Sequence, residues 1–101
     1  MIDIYVTYPN EREAKKISQK ILDKRLAACI NFSPIQSWYW WQGQQVQGHE
    51  VATFIKTQKK HYKKIEALIK KYHSYAIPCI IEIPIDRVSY SYKKWINDET
   101  K

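Results

Sequence analysis

Ser37-Trp38-Tyr39-Trp40-Trp41-Gln42-Gly43 places three of the chain's four tryptophans within four positions. In an extended strand, successive side chains face opposite ways. Trp38 and Trp40 then share one face of a sheet, and Tyr39 and Trp41 share the other. A chain of 101 residues buries roughly 65% of its unfolded surface and rarely has two interiors to hide both pairs. One of these pairs is therefore expected to bury against another copy, and Trp38, Tyr39, Trp40 and Trp41 are the candidate interface residues.

Outward from this strand the elements follow in order. Ile2 to Tyr8 reads as a first strand, ended by Pro9. Asn10 and Glu13 form a helix cap and its reciprocal partner. Ala14, Ile17 and Ile21 then mark an apolar helical stripe to about Lys24. Extended character resumes at Leu26, with a kink expected at Ser33-Pro34 before Ile35 to Trp41. Gln42 to Gln45 turns the chain into a third strand over about Val46 to Thr57. A second helix spans about Lys59 to His73, with Tyr62, Ile65, Leu68, Ile69 and Tyr72 as its buried stripe. Cys79 to Ile85 is a fourth strand, and Tyr90 to Asn97 a short closing helix.

The order β-α-β-β-α-β with a terminal helix defines an α+β, ferredoxin-like domain over residues 1–101, with two helices on one face of a four-stranded antiparallel sheet. The strands supply apolar residues to both faces, so the face without helices predicts oligomerisation. Strand order 4-1-3-2 puts the second and fourth strands on opposite edges, and with them Cys29 and Cys79, about 14 Å apart. That exceeds the ~7 Å limit for a disulfide, so the two cysteines are expected to be free within a subunit.

Composition narrows the function. Seventeen basic against ten acidic residues give a formal charge of +7, and all the basic ones but Arg12, Arg25 and Arg87 are lysine. Specific phosphate or guanine reading favours arginine, so no specific nucleic acid partner is expected, only salt-dependent attraction to polyanions. No apolar run approaches the length of a membrane span. The opening Met-Ile-Asp-Ile-Tyr-Val has neither a basic region nor a small-residue cleavage site, so a cytoplasmic location is expected. Two glycines cannot build a phosphate loop, and the scattered acids suggest no enzyme.

Several local patterns coincide in register: Arg25-Leu-Ala-Ala-Cys-Ile-Asn31, Tyr39-Trp40-Trp41-Gln-Gly43, Glu50 with Ile55-Lys56-Thr57, His73-Ser-Tyr75-Ala-Ile-Pro78, and Tyr92-Lys-Lys-Trp95-Ile96. Together they closely resemble the CutA family of divalent-cation-tolerance proteins, over essentially the whole chain. The resemblance implies a tight homotrimer similar in assembly to PII signalling proteins, and a role in tolerance of copper or other divalent metals. Copper ligands proposed in the family are a cysteine near the end of the first strand and a histidine pair. Here those positions hold Val6 and the pair Tyr72-His73, and Ser74, Ala76 and Cys79 replace family residues in the run that follows.

His73 and Cys79 remain as a soft pair suited to Cu(I) or zinc, needing further donors from Cys29 or a neighbouring subunit. His73 also reads as a helix C-terminal residue, and Cys79 as a small buried apolar one. Glu50, Lys56 and Tyr75 belong to the matching motifs and line an expected cleft between subunits. There Lys56 pairs with a carboxylate, Glu50 being one candidate, or serves a small anionic ligand. A PII-like protein that binds a small anion is thus the alternative function.

Overall fold

The alternation of apolar residues along Ile2–Tyr8 (β1) sets the architecture. In a computed structural model describing residues 1–101, Ile2, Ile4, Val6 and Tyr8 all point to one side of the sheet and are 0–2% exposed. Above them lie Ala14, Ile17 and Ile21 of Glu11–Asp23 (α1), with Ile65 and Ile69 of Tyr62–Tyr72 (α2) completing the core. Each fully buried isoleucine contributes roughly 1.5–3 kcal/mol.

The sheet runs β2-β3-β1-β4, where β2 is Cys29–Trp41, β3 is Gln44–Thr57 and β4 is Ile80–Pro84. All neighbouring pairs are antiparallel, so Cys29 and Cys79 belong to opposite edges, as expected, and both are free. Both long helices cover one face; the other carries only Tyr92 of the closing helix, beside Cys29 and Asp3 at one end. Tyr90–Glu99 (α3) closes the chain: Ile96 is buried, Gln58 donates to the Thr100 carbonyl at 3.0 Å, and Arg25 reaches Glu99 at 3.3 Å.

The helix ends follow local chemistry. Asn10 Oδ1 accepts the Glu13 N–H at 2.9 Å. The Glu13 carboxylate does not return to Asn10, as a full capping box requires; it reaches Ser74 instead. At the other end of α1, Arg25 takes φ 55° and its N–H bonds the Leu22 carbonyl while Leu26 N–H bonds that of Ile21, a Schellman closure.

Four expectations change. The β2–β3 pairing keeps one register from Cys29↔Lys56 to Trp41↔Gln44, so Ser33-Pro34 makes no kink. Pro34 is tolerated because β2 is an edge strand, where its missing N–H has no partner to lose. The hairpin turn is only Gln42-Gly43, with φ of 49° and 76°, the two-residue geometry that suits strand twist. A 3₁₀ turn, Lys59–His61, precedes α2. Tyr72 is 40% exposed, because Lys20 Nζ sits 4.4 Å from its ring centre and holds it at the helix margin as a cation–π partner.

β1 meets β3 only over Val51–Thr57. Residues 35–41 and 44–50 therefore extend past the sheet as a two-stranded ribbon, in a molecule 45 Å long and 20 Å thin. Trp38 and Trp40 are 73% and 70% exposed on that ribbon. Replacing Ile17, which is fully buried, by alanine is expected to cost about 2–5 kcal/mol in urea unfolding at fixed protein concentration; a loss below about 1 kcal/mol would show that the helix layer is not the core.

Candidate functional site

The ribbon and the segment after α2 together make a cleft. Strand alternation sends Ser37, Tyr39, Trp41 and Glu50 to the helix-free side, and Ser74 to Cys79 closes over them. The resulting cavity is about 540 Å³, and Thr7 of β1 joins its lining.

His73 is the keystone of this wall. It caps α2, its N–H bonding the Ile69 carbonyl at 2.8 Å, and its side chain is wholly buried. The ring stacks on Tyr8 at 5.0 Å and packs against Tyr75 at 4.9 Å. Nε2 lies 2.8 Å from the Thr7 carbonyl, and Nδ1 lies 3.1 Å from the Tyr75 N–H. A carbonyl only accepts, so Nε2 carries the proton and Nδ1 presents its lone pair to Tyr75. Glu13 Oε2, 3.4 Å from Nδ1, accepts instead from the N–H and hydroxyl of Ser74, both at 3.1 Å. Both ring nitrogens are thus committed to protein partners.

Tyr75, placed by this ring, donates its hydroxyl to Glu50 Oε2 at 2.7 Å. Burial first, and then this bond to a carboxylate, push the Tyr75 phenol well above its ordinary range. Burial also pushes the Cys79 thiol up, the Thr7 hydroxyl opposing and the Glu50 charge adding to the effect, so Cys79 is a neutral thiol near pH 7.

Lys56 does not enter the cleft. It lies six residues further along β3 than Glu50, on the order of 20 Å at strand spacing. There Lys56 Nζ donates to Asn31 Oδ1, and its neighbour across the ladder is Asp3. The acid beside the lysine is Asp3, not Glu50. Burial pushes the Asp3 carboxyl up and the Lys56 charge pulls it down.

The same geometry tests the family's copper position. Val6 is buried and has no donor atom, Tyr72 points to the helix margin, and His73 has no free nitrogen. Those residues do not fit a copper ion, and nowhere in the chain do three His, Cys, Asp or Glu side chains converge. Thr7 and Ser74 line the cleft, and Tyr8 and Glu13 support its wall; the sequence marks Glu13 only as a cap partner and Ser74 only as a departure from the family run. Strand parity marks Thr7 as facing the open side, but nothing local marks Glu13 as a partner of Ser74, sixty-one residues away.

Such a molecule is a ferredoxin-like α+β protein with one bare sheet face and an aromatic cleft at the base of a projecting ribbon. The family model described as CutA1 divalent ion tolerance protein matches residues 2–99, and the chain belongs to that family. It is 41% identical over 97 residues to the divalent-cation tolerance protein CutA of Archaeoglobus fulgidus, covering 96% of this chain and 94% of that one. Against the Pyrococcus horikoshii protein of the same name the identity is 37% over 101 residues, covering 100% and 99%. A solved structure described as the periplasmic divalent cation tolerance protein CutA from Archaeoglobus fulgidus superposes with a TM-score of 0.97, at 37% identity and full coverage of both chains.

Tyr8 supplies a pH test of the wall. Burial pushes its phenol from about 10 to about 12, opposed by the adjacent Thr53 hydroxyl, although neither hydroxyl has a partner in hydrogen-bonding geometry. Below pH 10 the phenol is neutral in both folded and unfolded chains, and the fold keeps its full stability. Between 10 and 12 the unfolded chain ionises first, so stability falls. Tyr8→Phe is expected to remove on the order of 2 kcal/mol of that alkaline loss; an unchanged pH slope in denaturant titrations would contradict the burial argument.

Proposed function

We propose that this protein serves divalent-cation tolerance as a homotrimer of PII-like assembly, binding copper and performing no chemistry on it. The observation that carries the reading is the bare sheet face. Tyr5, Phe54, Ile81 and Ile83 lie on the side without helices, where Ile81 is 50% and Ile83 42% exposed. The ribbon adds Tyr39 and Trp41 on the same side and Trp38 and Trp40 on the other, so a lone subunit leaves apolar surface in water on both. Further copies of the chain cover these surfaces in the trimer, with the cleft opening at the seam between copies.

Copper enters as cargo. With His73 committed, Cys79 is the soft donor facing the cleft, and donors of a neighbouring copy must complete its set. The small-anion alternative has no cation in the cleft lining to support it, since Lys56 lies at the far end of the sheet. We assign the protein to the cytoplasm, whose reducing conditions suit two cysteines that cannot pair within a subunit.

Anaerobic Cu(I) titration of the reduced protein tests the reading. The assembled protein is expected to take up copper stoichiometrically, Cys79→Ala to abolish uptake, and Cys29→Ala to leave it intact. Uptake indifferent to Cys79 would refute the site, and no uptake at all would refute copper as the cargo.

A further inference from the structure

Copper at Cys79 leaves most of the cleft lining unaccounted for. Its walls carry three aromatic rings, Tyr39, Trp41 and Tyr75, and its only charged side chain is Glu50. No lysine, arginine or histidine lines it, in a chain of formal charge +7. Glu50 has no ion-pair partner; its single hydrogen bond comes from Tyr75. That carboxylate, half-buried among aromatic side chains, has no counter-charge in its own subunit. It is complementary to a cation.

The type of cation follows from the donors. A divalent metal ion needs several ligands to replace its water. Apart from Cys79, which the copper site uses, one subunit supplies a single carboxylate and hydroxyls. An organic ammonium needs no ligation: its charge is spread over alkyl groups, which lie favourably on ring faces, and one carboxylate completes the charge balance. The cavity of about 540 Å³ falls within the range of roughly 300–1,000 Å³ typical for small-molecule sites. Ala76 and Ile77, which also line the cleft, offer apolar contact to alkyl substituents.

We propose that this cleft binds a small organic ammonium cation, quaternary or alkylated, held between the rings of Tyr39, Trp41 and Tyr75 with Glu50 as counter-charge. Tyr75 acts as a positioning residue as well as a wall: its hydroxyl fixes the Glu50 carboxylate, and the Tyr8–His73 stack behind it fixes the ring. The proposal rests on the lining that one subunit supplies to the cleft and does not depend on copper uptake.

Titration of the wild-type protein with tetramethylammonium chloride, at ionic strength held constant with sodium chloride, tests it by tryptophan fluorescence and calorimetry. Saturable binding is expected, with neopentyl alcohol, a neutral molecule of nearly the same shape, binding at least tenfold more weakly. Glu50→Gln is expected to lower affinity about tenfold and Trp41→Leu about fivefold. The sedimentation of each variant, recorded alongside, shows whether assembly is kept. Equal binding of the neutral molecule, or the absence of saturable tetramethylammonium binding, would overturn the proposal. Neither result depends on a variant folding, and neither bears on the trimer or on Cys79.

Discussion

A four-stranded sheet has two faces, and this chain has long helices for only one. The rest of the structure depends on that imbalance. Alternation in β1 sends Ile2, Ile4, Val6 and Tyr8 under α1 and α2, so the intervening Tyr5, and with it Phe54 from β3, must face the other way. Tyr5 and Phe54 pack edge to face at 5.3 Å, which shields them partly but leaves Ile81 and Ile83 beside them in water. The ribbon extends the same problem beyond the sheet, because two strands without a third are marginal in water by themselves. A surface of this kind is a demand for further copies, and both the proposed trimer and the position of the cleft answer it.

The cleft is linked to the fold through one buried ring. His73 ends α2, bonds the backbone of β1 through Nε2, and orders the start of the next segment through Nδ1. Glu13 of α1 holds the same segment from another side. Tyr75 is thereby fixed by two helices and a strand before it meets Glu50. This explains why a residue that looks like a metal ligand is not free to be one: its two nitrogens are already spent in joining elements that are far apart in sequence.

Much of this was legible in the chain. The element order, the edge positions of Cys29 and Cys79, and the opposite facing of Trp38/Trp40 and Tyr39/Trp41 all follow from period-two and helical patterning, which is local. The errors share a physical origin in contacts that patterning cannot see. Tyr72 satisfies the apolar stripe of α2, but a lysine from α1 gives it a better place at the surface. Lys56 and Glu50 share a strand face, yet strand rise separates them too far to pair. Glu13 has the spacing of a capping partner and is claimed by Ser74 across the fold. Pro34 signals a break, but on an edge strand it costs no hydrogen bond.

Whether other copies of this chain close the bare sheet face is decided by sedimentation equilibrium of the wild type and of Ile81→Glu, which places a charge on that face. The expected wild-type mass is that of three chains of 12.1 kDa each, with dissociation or loss of folded protein in the variant. A folded wild-type monomer at micromolar concentration, with the variant equally stable in denaturant, would contradict it.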